Sequence, residues 1–89
     1  MSSSFNETVG KLGYEVVKRV GKEVLLKKEG KVATILILFN GEEKQISGSI
    51  KTNVLISTLD EISSQYAMFK EMQEDLKTFK QLSNYDILN

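Results

Sequence analysis

The apolar run from Ile35 to Phe39 constrains the fold of this 89-residue chain more than any other feature. It lies within the stretch 31–39 and is followed at once by Asn40-Gly41. A short uninterrupted apolar run that ends at a turn signal is typical of a strand buried on both faces. Asn-Gly is a strong hairpin signal, because a type I′ turn requires positive φ at both central residues. We therefore expect a central strand over 31–39 that turns back into an antiparallel neighbour.

Three further segments resemble strands, because they are rich in β-branched or alternating apolar residues between turn signals. The four predicted strands cover 14–20, 23–28, 31–39 and 42–51. If the last two turns are two-residue loops, Phe39 lies opposite Glu42 and Val24 lies opposite Ile35. Alternation along the strands then places one apolar set on a core face: Val24, Leu26, Ala33, Ile35, Ile37, Phe39, Ile46 and Ile50. A smaller apolar set lies on the other face: Leu25, Val32, Leu36 and Leu38.

Helical periodicity appears at both ends of the chain. Apolar residues at helical spacing predict a short helix over 4–12, and Gly13 can end it in a left-handed conformation. Thr58 and Glu61 have the spacing of a capping box and open a long predicted helix over 58–83. The sequence therefore predicts one α+β domain, spanning 1–89, in which a long C-terminal helix covers one face of a four-stranded antiparallel meander. A short N-terminal helix is expected at the edge of the sheet or on its other face.

The long helix has more apolar surface than one sheet requires. One stripe consists of Leu59, Ile62, Tyr66, Phe69 and Leu76. A second stripe beside it consists of Met68, Met72, Phe79 and Leu82. A helix over 58–83 is about 39 Å long, whereas an eight-residue strand is about 26 Å long, so its end should overhang the sheet or kink. We expect the surplus surface to contact a protein partner, with a homodimer as the first expectation, through Leu36, Leu38, Met68, Met72, Phe79 and Leu82.

The composition argues against catalysis. The chain has no Cys and no His, and so lacks the commonest metal ligands, general base and thiol nucleophile. Its carboxylates occur as adjacent pairs that diverge on a helix or strand, and its glycines match no phosphate-binding loop. We therefore expect no enzyme activity and no cofactor. No apolar segment approaches ~20 residues and the N-terminus does not resemble a signal peptide, so we expect a cytoplasmic protein with no membrane partner.

A basic cluster around the first hairpins offers an alternative function. It consists of Lys18, Arg19, Lys22, Lys27 and Lys28, and it could contact phosphates as a weak nucleic-acid-binding surface. Glutamates interleave with it, and the formal net charge of the chain is zero. Lysines on edge strands also protect against aggregation. Protein binding is therefore the favoured hypothesis.

The order of elements resembles a known group of proteins. A short helix ending in Leu12-Gly13-Tyr14, charged hairpins, and a helix opened by the segment 56–61 are similar to small uncharacterised proteins of phages and prophages of Gram-positive bacteria. The resemblance implies a small accessory protein or an inhibitor of a host protein. It implies no particular site residues.

Overall fold

A computed structural model describes residues 3–43 and 45–82 and shows an α+β fold, as the sequence predicts. Its elements in chain order are α1 (Ser3–Leu12), β1 (Glu15–Val20), β2 (Glu23–Glu29), β3 (Ala33–Asn40), β4 (Gln45–Thr52) and α2 (Leu59–Lys80). The four strands form one antiparallel sheet in the order β1-β2-β3-β4. The element bounds agree with the predictions to within a few residues, although residue 83, the predicted end of the long helix, lies outside the described residues.

The predicted strand register is wrong in both later hairpins, and by the same amount. Phe39 pairs with Ile46 rather than Glu42, and Val24 pairs with Phe39 rather than Ile35. Each shift is four residues, because neither connection is a two-residue loop. In the second hairpin, the Asn40 side chain accepts hydrogen bonds from the backbone N–H groups of residues 42 and 43, at 3.1 and 3.3 Å. Asn40 therefore acts as the first residue of a longer turn.

The predicted core face is nevertheless confirmed, because a shift by an even number of residues keeps every side chain on its face. Six of the eight predicted residues are buried, and Ile46 and Ile50 are half-buried against the same core. β2 and β3 form the middle of the sheet. β1 and β4 are its edges, and β1 carries an irregularity between Val16 and Lys18.

The helix ends follow the sequence signals. At the end of α1, Gly13 has φ of 87°, and the N–H of Tyr14 donates to the carbonyl of Val9 at 2.9 Å. This is the left-handed ending that the glycine predicts. At the start of α2, the Thr58 hydroxyl accepts from the Glu61 N–H at 3.1 Å and the Glu61 carboxylate accepts from the Thr58 N–H at 3.1 Å, which is the predicted capping box.

The C-terminal half of α2 is covered by aromatic packing. Phe79 is fully buried, and its ring centroid lies 5.4–6.1 Å from those of Phe39, Tyr14 and Phe5. Phe5 comes from α1, so the short helix covers the end of α2 that the sequence predicts to overhang the sheet. α2 is a continuous helix from Leu59 to Lys80. Its exposed apolar residues lie at the opposite, N-terminal half.

Candidate functional site

The largest group of exposed apolar side chains lies along the N-terminal half of α2. We call it the flank stripe, and it consists of Leu59, Ile62, Tyr66 and Phe69. Their exposed fractions are 81%, 51%, 63% and 46%. The spacing of three, four and three residues is that of the a and d positions of a coiled coil, which keeps the four side chains on one side of the helix. Leu55, just before the helix, is 89% exposed.

The flank stripe faces the β4 side of the molecule. Ile62, Tyr66 and Phe69 line a shallow groove together with Gln65 and with Ile50 of β4. Glu71 is on the other flank of α2, since residues two apart are about 200° apart around a helix, and there it pairs with Lys28 of β2. α2 therefore has a polar flank toward β2 and an apolar flank toward the edge strand β4.

The polar flank is held by a buried network. Asp75 is only 5% exposed; its Oδ2 accepts a hydrogen bond from the Tyr14 hydroxyl at 2.8 Å and one from Lys28 Nζ at 3.0 Å. Lys28 Nζ also bonds the Glu71 carboxylate and lies 4.4 Å from the centroid of the Tyr14 ring. Among the described residues, no buried side-chain nitrogen or oxygen lacks a hydrogen-bond partner. The network satisfies its own charges and stabilises the placement of α2 on the sheet.

Three side chains have shifted pKa values with clear causes. Burial, followed by the hydrogen bond to Asp75, raises the pKa of the Tyr14 hydroxyl well above its ordinary value. The Ser57 backbone N–H, followed by the Thr58 hydroxyl, lowers the pKa of Glu61 at the start of α2. Glu29 beside Lys27 raises the pKa of that lysine. The three shifts arise from contacts in the buried network, in an exposed ion pair and in the helix cap, respectively for Tyr14, Lys27 and Glu61.

The structure places the second helix stripe against the sheet. Met72 and Phe79, predicted to contact a partner, are core residues, and Leu82 and Met68 are half-buried, with both packed against that core. The first stripe, apart from Leu76, is the exposed one. Met72 and Phe79 therefore have no surface to offer a partner.

Leu36 and Leu38 lie on the other face of the sheet, away from α2. Leu36 is half-buried and Leu38 is partly exposed. Leu38 lines a groove of about 240 Å³ with Leu25 of β2, Val20 of β1, and the charged residues Lys18 and Glu23. Unlike the flank stripe, this second surface includes charged side chains.

The basic residues do not form one surface. Lys28 points into the core network and Lys27 to the opposite face, where it pairs with Glu15 and Glu29 at 3.5 and 3.4 Å. The guanidinium of Arg19 lies 5.8 Å from the centroid of the Phe5 ring, on the core side of the sheet. Lys18 lines the groove on the outer face, and Lys22 lies in the turn after β1. The alternating faces of β1 and β2 thus separate the cationic groups.

The described residues 3–43 and 45–82 contain no group of three or more Asp or Glu side chains placed to hold a metal ion. In the same part of the chain, neither helix combines the length and the apolar character needed to cross a membrane.

Comparisons with known proteins gave no match to any protein-family model, to any curated protein or to any solved structure. The fold itself defines the class: an α+β protein with an antiparallel four-stranded meander covered on one face by two helices. In this chain, that fold leaves the flank stripe exposed.

Proposed function

We propose that this chain is a non-catalytic protein–protein interaction module that acts as a homodimer through the flank stripe. The observation that supports this most directly is the exposure of four large apolar side chains at coiled-coil spacing on one side of α2. Large contiguous apolar patches are rare on monomeric soluble proteins and mark interaction sites. Aromatic side chains such as Tyr66 and Phe69 are the residues that most often dominate the energy of an interface.

The amount of apolar surface is appropriate for this role. With about 150–250 Å² per large side chain, the exposed fractions of the flank stripe amount to roughly 360–600 Å² per copy. A stable interface buries about 800 Å² on each partner, and the neighbouring Leu55 and Ile50 would supply part of the remainder. The resemblance to phage accessory proteins adds the hypothesis that the module also binds and inhibits a host protein.

Sedimentation velocity of the wild-type chain at micromolar concentration tests the proposal, and we expect a dimer. Phe69→Glu places a charge in the centre of the flank stripe and should weaken dimerisation by at least about tenfold, because an unpaired charge would be buried. Ala67→Glu is the matched control, since it adds the same charge to an exposed position of the same helix outside the stripe. A monomeric wild type, or equal effects of the two variants, would contradict the proposal.

A further inference from the structure

The two edges of the sheet differ in how well they are protected against pairing. β1 has an irregular register between Val16 and Lys18, and it carries two adjacent cationic residues, Lys18 and Arg19. Bulges and basic side chains are the usual devices that prevent an edge strand from pairing with another chain. β4 pairs with β3 without a register shift over its eight residues, and no described strand pairs with its outer side. β4 is therefore the open edge.

The sequence of β4 is self-complementary. The segment 46–50 is Ile-Ser-Gly-Ser-Ile, which reads the same in both directions around Gly48. An antiparallel pair of two such strands, related by a two-fold axis at Gly48, places Ile46 opposite Ile50 of the partner subunit. It also places Ser47 opposite Ser49 of the partner subunit. Closed two-fold dimers use one patch on both subunits, and this strand meets that requirement.

The backbone of β4 is oriented correctly for this pairing. Backbone groups of alternate residues in an antiparallel strand point to opposite sides. The N–H of Asn53 donates to the carbonyl of Val32 at 2.8 Å, so Asn53 points toward the β3 side. Gly48 is five residues earlier in the same regular register, so its N–H and C=O point toward the open edge. Two copies of Gly48 can then exchange a pair of hydrogen bonds at the two-fold axis.

The same two-fold axis brings the flank stripes together. An antiparallel continuation of the sheet keeps both copies of α2 on one face, with the two helices antiparallel. The flank stripe is on the β4 side of α2 and shares a groove with Ile50, so it faces the partner's helix across the new sheet. The exposed stripe supplies roughly 360–600 Å² of the ~800 Å² per partner of a standard interface, and the paired edge strand adds to it.

Charge also favours pairing at β4 over pairing at β1. The Gly48-centred pair places Lys51 opposite Gln45 of the partner subunit, so no like charges face each other directly. A β1 pair would bring the cationic residues of two copies close together, and like charges across a strand pair are destabilising.

We propose that two copies of this chain associate by antiparallel pairing of β4 around Gly48, forming a continuous eight-stranded sheet on which the flank stripes pack against each other. The inference rests on the proposed homodimer and specifies its geometry. One two-fold axis then pairs β4 with β4 of the partner subunit and packs the flank stripe against the partner's flank stripe.

Disulfide trapping tests the geometry directly, because the chain has no cysteine of its own. Ser47→Cys and Ser49→Cys are both at exposed positions. Opposite residues of a pair without mutual hydrogen bonds are about 4.5 Å apart at Cα, which suits a disulfide. The two variants are mixed, allowed to exchange subunits under reducing conditions, and then oxidised. We expect this mixture to form several times more cross-linked dimer than either variant alone. Like positions would be about 8 Å apart, beyond disulfide reach. Cross-linking that is absent, or equal in all three samples, would overturn the proposal.

A charge pair provides a second test that does not depend on oxidation. Ser47→Lys/Ser49→Lys places like charges opposite each other twice in the dimer and should raise the dimer dissociation constant by about tenfold or more. Ser47→Glu/Ser49→Lys places opposite charges there and should leave the constant within about threefold of wild type. Circular dichroism spectra would verify that both variants fold. Equal dissociation constants for the two variants would contradict pairing through β4.

The outcomes separate the two proposals. A wild-type dimer that is weakened by Phe69→Glu but gives no selective cross-link would refute pairing through β4 and support the flank stripe as the interface. A wild-type monomer would refute the homodimer and its geometry together.

Discussion

Two adjacent lysines in β2 should respond very differently to the same substitution. Lys28 points into the core and its side chain is 15% exposed, where it pairs with Asp75 and Glu71. Lys27 points to the opposite face and pairs with two exposed glutamates. Lys28→Met and Lys27→Met therefore remove the same charge from the same strand, in a buried and an exposed environment respectively.

The expected loss of unfolding free energy in each variant depends on whether the carboxylate left without its lysine is buried or exposed. Without Lys28, the Asp75 carboxylate stays buried and keeps its hydrogen bond from the Tyr14 hydroxyl. Removing one partner of a buried ion pair costs about 3–5 kcal/mol. We expect about 3 kcal/mol, since methionine retains the apolar packing of the lysine stem. Lys27→Met should cost less than about 1 kcal/mol, as is usual for exposed pairs.

Urea unfolding followed by circular dichroism, at one fixed protein concentration, measures both free energies. Lys28→Met/Asp75→Asn should regain at least half of the loss, because an amide can still accept from Tyr14 and no unpaired charge remains buried. Equal costs for the two lysine variants, or no recovery in the double variant, would refute the assignment of Lys28 to a core network.

Three further predictions concern the aromatic core around Phe79, the buried network of Tyr14 and the Thr58 cap of α2. Phe79→Ala should lower the free energy of unfolding by about 3–5 kcal/mol, whereas Leu55→Ala should have little effect on a chain kept monomeric by dilution; comparable losses would contradict the aromatic core. The raised pKa of Tyr14 means that the folded state retains a proton which the unfolded state loses near pH 10. Stability should therefore fall above pH ~10, and less steeply in Tyr14→Phe; parallel urea-unfolding curves from pH 8 to 11 would count against this. Thr58→Ala should cost about 1 kcal/mol in the same assay through loss of the helix cap, and no change would mean that the cap is dispensable.

The faces of the strands could be predicted from the sequence, but their pairing could not. Alternation of apolar and polar residues specifies which side chains point inward, and this survives any even shift in register. The register itself depends on turn geometry. Asn40-Gly41 is compatible with a two-residue type I′ turn, yet here the Asn40 side chain supports a longer turn. A local side-chain hydrogen bond thus decided between two turns that the sequence pattern does not distinguish.

The candidate site could be predicted only in part, for a similar reason. The periodicity of α2 correctly indicates two apolar sides, but it does not tell which of them is buried. It would place Leu59, Ile62, Tyr66 and Phe69 in the core as readily as the residues that are buried there. The buried side includes Asp75, which a hydrophobic pattern assigns to solvent. Its partners Tyr14 and Lys28 are more than forty residues away in the chain. The choice of buried side depends on these distant contacts, and a periodicity argument contains no information about them.

The network of Tyr14, Lys28 and Asp75 has a consequence for how α2 can move. A helix with two apolar sides could otherwise rotate about its long axis and bury one side in place of the other with little change in free energy. Rotation that brings the flank stripe onto the sheet would carry the Asp75 carboxylate away from Tyr14 and would leave the largely buried Lys28 ammonium without its counter-ion. The Lys28–Asp75 ion pair therefore fixes the rotation of α2 about its own axis. The helix keeps the flank stripe exposed even when no partner covers it.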